Sequence, residues 1–306
     1  MWFVHAQTLA YALTLIIALF LVLRISGRVQ VGWKPAFSWV VIKRSFPFAL
    51  LILLMTFYYR IDTLMIERLL PDGAGQAGIY YQGFRFFEAL NMLGFLVAGL
   101  LLPMFSRMLK EGADTSPLAG LSFRMVLAGS LAVAVFGSFH SADLLGLLYT
   151  EHIDRSAPVL ALLLWGFTAV CTTYIFGSLL TAGGDLRALN WMAACGAVLN
   201  ITLNLWLVPR WGIEGAAWAG LTTQVLTALA QLVIAIRLHK VWGVVPVLVR
   251  AAIYAGLLVA VNIGLAHIGL AFQWTVLCFA VCAVLLAAAS GLLRIVDLQA
   301  ALAQRD

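Results

Sequence analysis

The chain has 306 residues, of which 63% are hydrophobic and only 10% are charged, and its mean hydropathy is +1.01. A soluble domain of this length exposes far more polar surface, so a water-soluble globular protein is excluded. The net charge of +6 does not indicate nucleic-acid binding, because Lys and Arg accumulate in the cytoplasmic loops of inner-membrane proteins.

Apolar runs of about 20 residues recur along the whole chain, and each is long enough to cross roughly 30 Å of hydrocarbon. They predict an all-α fold, a polytopic transmembrane helical bundle of about nine spans. The predicted spans are 2–23, 46–70, 79–105, 118–139, 157–181, 189–208, 213–236, 249–270 and 272–293.

The first span has no features of a cleavable signal peptide, since a basic start and an A-x-A site are both missing. A basic segment follows at 24–45, which we interpret either as an ordinary cytoplasmic loop or as a linker between two bundles. The glycine-rich sequence GAGQAG at 73–78 predicts a tight external turn between the second and third spans.

Four charged residues lie in the interior of the second and third predicted spans. They are Arg60 and Asp62 in the second span and Arg85 and Glu88 in the third. Each would cost roughly 2.5–3.5 kcal/mol in hydrocarbon, so they are expected to face protein or a wet cavity. Helical rise places Arg60 and Glu88 roughly 14–15 Å from the outer end, and Asp62 and Arg85 roughly 9–12 Å. We therefore predict ion pairs Arg60–Glu88 and Asp62–Arg85, which either lock two helices together or line a cavity.

Polar residues of the later spans have two interpretations each. Asn200 and Asn204 share a helix face, as do Gln224 and Gln231, and they either hydrogen-bond between helices or contact sugar hydroxyls. The external cluster around His152 is interpreted as a solvated loop, with a metal or acid–base site as the alternative. The four cysteines lie inside apolar runs and are interpreted as packing residues, so no metal site and no catalytic residue is predicted.

The distribution of Lys and Arg predicts the orientation. Thirteen of the 19 fall in loops on one side and three on the other, which makes the first side cytoplasmic. The N-terminus is then expected outside and the C-terminus inside.

Two stretches resemble a known family. The first contains FPF at 46–48, RIDTLMI at 60–66, GIYYQGFRFFEAL at 78–90 and LLPMFSR at 101–107; the second contains AGGDLRALN at 182–190 and NITLNLWLVPRWGIEGAAWA at 200–219. Together they are similar to the C-terminal half of polysaccharide flippases of the multidrug/oligosaccharidyl-lipid/polysaccharide exporter superfamily.

The resemblance implies three parts. Residues 1–37 would be the last helix of an incomplete N-terminal lobe with its cytoplasmic linker, and 38–240 the C-terminal six-helix lobe. Residues 241–306 would be two extra helices and a short cytoplasmic tail. Most of the N-terminal lobe is missing on this interpretation, so the chain would be a fragment or one half that needs a partner.

The implied function is alternating-access transport of lipid-linked oligosaccharide, that is, polyprenyl-pyrophosphate sugar repeat units, across the bacterial inner membrane for surface polysaccharide. The partners would be that lipid, membrane lipids, a missing lobe or polysaccharide assembly proteins, and not nucleic acid. No cofactor is expected beyond a coupling H⁺ or Na⁺. The alternatives are a multidrug or cation antiporter, a peptidoglycan-precursor flippase and, more distantly, a membrane-embedded transferase or polymerase; we expect no enzyme.

Overall fold

The structure, a computed structural model, describes residues 2–26, 34–241 and 243–293. Within these ranges the chain forms helices and no strands, which confirms the all-α fold class. Residues 27–33 of the predicted linker and the predicted tail at 294–306 lie outside the described residues. The helices are α1 (Trp2–Ser26), α2 (Pro35–Leu69), α3 (Gly73–Lys110), α4 (Ser116–Phe139), α5 (Ser141–Gly146), α6 (Ile153–Ala182), α7 (Leu186–His239), α8 (Val244–Ile268) and α9 (Phe272–Ala289).

Eight of these helices are long and apolar enough to cross a membrane, and the longest of them is long enough to cross twice. As a straight rod the 54 residues of α7 would measure about 80 Å, far more than one bilayer. The helix breaks at Gly212, where φ is 60° and ψ is −136°. A Cβ on Gly196 would lie 2.9 Å from Thr227, so the two halves, α7a (186–211) and α7b (213–239), fold back on each other. The described ranges thus contain the nine predicted spans.

Two helices begin earlier than predicted. Helix α2 starts at Pro35 rather than at 46, so residues 35–45 are helical, and Pro47 lies inside the helix. Helix α3 starts at Gly73 rather than at 79, so GAGQAG forms its first turns and not a loop. Transmembrane helices tolerate proline because neighbouring groups satisfy the freed carbonyls, so Pro47 does not interrupt α2.

The reversal between α2 and α3 is therefore shorter than predicted. Asp72 adopts a left-handed conformation, with φ 52°, and the next residue, Gly73, packs against the backbone of Glu67. A side chain at Gly73 would overlap that backbone, so the tight turn requires glycine.

The chain divides into two compact units, Met1–Phe46 and Pro47–Asp306, and every site described below lies in the second. Helix α6 is the most buried span of this unit and packs against α3, α4 and α7. Gly166 and Gly177 of α6 leave room for the side chains of Gln224 and Gln231 on α7b. Helix α8 packs against α4 and α9.

The two ends of α7 are also joined by a polar contact. The Nε2 atom of His239, at the end of α7b, lies 2.8 Å from a carboxylate oxygen of Asp185, just before α7a. This contact closes the α7 hairpin at the end opposite Gly212 and fixes how far the two halves can slide.

The hairpin yields a first prediction. Gly215 packs against the backbone of Leu207, so the Cβ of Gly215→Ala has no room, and we expect the free energy of unfolding to fall by about 1–3 kcal/mol. The matched control is Gly256→Ala in α8, where a Cβ meets nothing within 4 Å and the helix propensity of alanine favours folding. Thermal unfolding of the purified protein in detergent measures both. Equal melting temperatures would contradict the folded-back arrangement.

Candidate functional site

The buried carboxyl group of Asp62 lies at the junction of four helical segments. Asp62 is 5% exposed; the hydroxyl of Tyr80 on α3 donates to its Oδ2 at 3.3 Å, and Nδ2 of Asn204 on α7a donates to its Oδ1 at 2.8 Å. On α7b, a Cβ on Gly220 would lie 2.9 Å from Oδ2, so the glycine leaves space for the carboxyl group. Both carboxyl oxygens therefore accept a hydrogen bond.

The two asparagines act as one polar unit. Nδ2 of Asn204 also lies 3.0 Å from the carbonyl oxygen and 3.1 Å from Oδ1 of Asn200, and both residues are fully buried. Oδ1 of Asn204 and Nδ2 of Asn200 have no hydrogen-bond partner within the described ranges. The predicted pairing of these asparagines on one helix face thus occurs, and it serves the carboxyl group of α2.

The predicted ion pair between Arg60 and Glu88 is present. Nη2 of Arg60 lies 3.1 Å from Oε1 of Glu88, and the hydroxyl of Tyr81 donates to Oε2 of Glu88 at 3.1 Å. The two charged side chains are 63% and 36% exposed. This pair therefore lies on the surface of the unit and not within its core.

The predicted pair between Asp62 and Arg85 is wrong. Among the described residues Asp62 has no basic partner, and the guanidinium of Arg85 lies 5.5 Å from the ring centre of Tyr81 without a carboxylate. The reason is helical geometry: residues two apart point in nearly opposite directions. Arg60 points to the surface shared with Arg85 and Glu88, and Asp62 then points into the bundle.

These side chains define an exposed polar face, formed by Arg60, Tyr81, Arg85 and Glu88 on α2 and α3. Arg60 lies nine residues, or about 14 Å, before the end of α2, a distance of about half the thickness of a hydrocarbon core. Next to it is a pocket of about 520 Å³, whose lining includes Tyr81, Arg85 and His152. The rest of the lining is Gly75, Gly78, Ile79, Gln82 and Tyr149.

Of the other polar residues singled out in the sequence, the two glutamines lie in the core and the cluster around His152 borders the pocket. Gln224 and Gln231 are buried on α7b, and the Oε1 of each has no hydrogen-bond partner in the part of the chain that the structure describes. The backbone of Glu151 accepts a hydrogen bond from Gln82 at 3.3 Å. Among the described residues, no group of three or more His, Cys, Asp or Glu is arranged to hold a metal ion.

Sequence reasoning missed Tyr80, Tyr81 and Gly220, which complete the two sites. Tyr80 and Tyr81 are adjacent and point to different sites, one to Asp62 and one to Glu88. The helical period of 3.6 residues places Arg60 and Asp62 on opposite faces of α2. The sequence therefore does contain the signal that separates an inward from an outward face. Gly220 is one of several small residues at helical spacing on α7b that allow close helix contact, but nothing in the sequence shows that this contact is with α2.

Comparison with known proteins bears on the fold. No protein-family model matches the chain, and no curated protein sequence does either. A solved structure described as the outward-facing conformation of a multidrug resistance MATE family transporter of the MOP superfamily superposes with a TM-score of 0.50, at 19% identity. The match covers 80% of this chain. The chain has a MATE-like fold.

A second solved structure is a MOP superfamily transporter from Pyrococcus furiosus Vc1 (DSM3638), described as having a binding pocket of reversed polarity that suggests a different function. It matches with a TM-score of 0.47 and 18% identity, over 80% of this chain and 61% of its own. The first match likewise covers 61% of the solved protein, so the chain spans less than two thirds of the length of either transporter. In this MATE-like unit the cavity roles of Arg60, Asp62, Arg85, Glu88, Asn200 and Asn204 stay predictions.

The Asp62 junction yields a second prediction. Asn204→Leu removes the 2.8 Å donor and leaves a buried carboxylate with one hydrogen bond, so we expect the free energy of unfolding to fall by about 1–3 kcal/mol. In an Asp62→Leu background the same change should cost at least 0.5 kcal/mol less, roughly the coupling seen for residues in contact. The control is Thr202→Val, since the Thr202 hydroxyl is exposed and bonds to its own helix. Additive effects of the two substitutions at Asn204 and Asp62 would refute the contact.

Proposed function

We propose that this chain forms part of a transporter that moves lipid-linked oligosaccharide across the bacterial inner membrane by alternating access. The observation that carries the proposal is the exposed polar face on α2 and α3. Arg60 and Glu88 are exposed at a depth where lipid would surround them, and charged side chains at such depth usually face a water-filled path or another protein. A substrate cavity bordered by this face accounts for both the charge and the exposure.

The chemistry of this face favours an anionic, sugar-bearing substrate. The guanidinium of Arg85 has no carboxylate partner among the described residues, and its planar fork suits the oxygens of a pyrophosphate or an acidic sugar. The adjacent pocket adds the rings of Tyr81 and Tyr149. Aromatic rings are the groups that stack on sugars.

Asp62 is the proposed coupling residue. An ionised carboxylate without a basic partner is costly to bury, so a proton or a cation binds there readily. Besides the carboxylate, the oxygens near this position include the Tyr80 hydroxyl and Oδ1 of Asn200, and oxygen ligands suit hard cations such as Na⁺. One charge moved across 100 mV is worth about 2.3 kcal/mol, which is enough to bias two transporter states.

We propose the orientation predicted from Lys and Arg, with the N-terminus outside and the C-terminus in the cytoplasm. In an alternating-access transporter the polar face would border a cavity shared with a second lobe. That lobe, or a polysaccharide assembly protein, would be the partner of this chain. The transport is proposed without an enzymatic step by this chain.

The substrate proposal yields a third prediction. Arg85→Ala in the chromosome of the source bacterium should abolish surface polysaccharide, measured by gel electrophoresis, while immunoblots show unchanged membrane levels of the protein. Arg85→Lys keeps the charge but loses the fork, so partial export is expected. The matched control, Arg68→Ala, changes an exposed arginine at the end of α2 and should export normally.

Other outcomes would replace the proposal. Normal surface polysaccharide in Arg85→Ala cells would contradict the oligosaccharide substrate. Increased sensitivity to cationic drugs with normal polysaccharide would indicate a multidrug antiporter. Lysis with accumulated cell-wall precursor would indicate a peptidoglycan-precursor flippase.

The coupling proposal yields a fourth prediction. Asp62→Asn keeps the shape of the side chain but removes its charge, so export should become slow and insensitive to ionophores that collapse the H⁺ or Na⁺ gradient. Wild-type export, followed as the appearance of labelled surface polysaccharide, should slow at least severalfold under the same ionophore. Asp143→Asn, at an exposed carboxylate beside His140, is the control and should behave as wild type. Ionophore sensitivity that persists in Asp62→Asn would exclude Asp62 as the coupling group.

A further inference from the structure

The second unit contains a cavity of about 250 Å³ that is separate from the exposed polar face. Its apolar walls include Leu51 and Met55 from α2, Phe95 from α3 and Met192 from α7a. An apolar cavity of about 150 Å³ accommodates benzene, so this volume suits a molecule of about two fused rings. The cavity is open on one side, where its wall residue Phe95 is 65% exposed.

No charged side chain lines this cavity, and three of its six hydroxyl groups donate to backbone carbonyls. The hydroxyls of Thr173, Ser178 and Thr227 donate to backbone carbonyls of their own helices, at 3.2, 2.7 and 2.9 Å respectively. A charged ligand would therefore be buried without a counter-ion, which is strongly unfavourable. The cavity selects for a neutral ligand.

The wall contains one side-chain amide, that of Gln231, and its acceptor oxygen is not used. Gln231 is 2% exposed, lines the cavity from α7b, and its Oε1 has no hydrogen-bond partner among the described residues. A primary amide carries two donor hydrogens and an acceptor oxygen, and rotation about its last bond presents either end to the cavity. A buried acceptor oxygen without a donor costs free energy, which a bound donor group would restore.

We propose that this cavity binds a neutral, apolar molecule of about two rings that carries one amide-like group, paired with the side chain of Gln231. A cyclic amide both donates and accepts, so it matches both ends of the glutamine amide. The site does not depend on the proposed transport function, because neither Arg60, Arg85 nor Asp62 lines the cavity.

The test uses the purified full chain in detergent and two fluorinated probes followed by ¹⁹F NMR. The first probe, 6-fluoro-2-quinolone, carries a cyclic amide; the second, 2-fluoronaphthalene, has the same shape without it. Each dissociation constant is compared between variant and wild type at one detergent concentration, so partition of the probe into micelles cancels.

Three variants separate the hydrogen bond from the cavity. Gln231→Leu should weaken quinolone binding about five- to tenfold, the worth of one or two neutral hydrogen bonds, and change fluoronaphthalene binding less than twofold. Gly99→Leu places a side chain at the cavity wall without a clash at Cβ and should weaken both probes at least tenfold. Gly256→Leu, in open space on α8, should change neither.

Two results would overturn the proposal. Binding that Gly99→Leu leaves unchanged would place the probes outside this cavity. A quinolone affinity that Gln231→Leu leaves unchanged would exclude the glutamine amide as the partner, even if the cavity is occupied. Neither result bears on transport, so the two proposals fail independently.

Discussion

Burial of the Asp62 carboxyl group in an almost wholly apolar helix bundle is the constraint on which the arrangement of the second unit depends. A carboxylate in such surroundings must be hydrogen-bonded, and its donors come from Tyr80 on α3 and Asn204 on α7a. Gly220 on α7b leaves the space that it occupies. One side chain of α2 thereby fixes the helix against three other segments, one of them 142 residues away in sequence.

Helix α2 separates two kinds of charge because residues two positions apart point in opposite directions. Asp62 faces inward, where it contacts Asn204 and where we propose that a proton or cation binds, and Arg60 faces outward, where it pairs with Glu88. A conformational change that moves α2 relative to α3 would alter both sites together. This physical link between an inner acid and an outer basic face is the kind of coupling that alternating access requires.

Much of the fold, but less of the site, could be predicted from the sequence. Apolar runs of about 20 residues fixed the nine spans, because hydrocarbon thickness sets their length. The matching depth of Arg60 and Glu88 predicted their ion pair, because α2 and α3 are neighbours joined by a short turn.

The predicted pairing of Asp62 with Arg85 failed because depth was matched without regard to helix face. The contact between Asp62 and Asn204 could not be found, since a single sequence carries no information on which distant helices meet. The starts of α2 and α3 were missed because the basic segment 24–45 was interpreted as a loop or linker and GAGQAG as a turn.

The central claim is that the polar face of α2 and α3 borders water at mid-bilayer depth, and chemical accessibility tests it most directly. Single cysteines at positions 85 and 88 would be placed in a chain whose four native cysteines are replaced by alanine, and treated in intact membranes with a charged, membrane-impermeant thiol reagent. A cysteine replacing Leu96, which is 56% exposed on the apolar part of α3, provides the lipid-facing comparison. We predict that the cysteines at 85 and 88 are labelled at least tenfold faster than the cysteine at 96. Equally slow labelling at all three positions would contradict it, because the polar face would then lie in lipid or against protein.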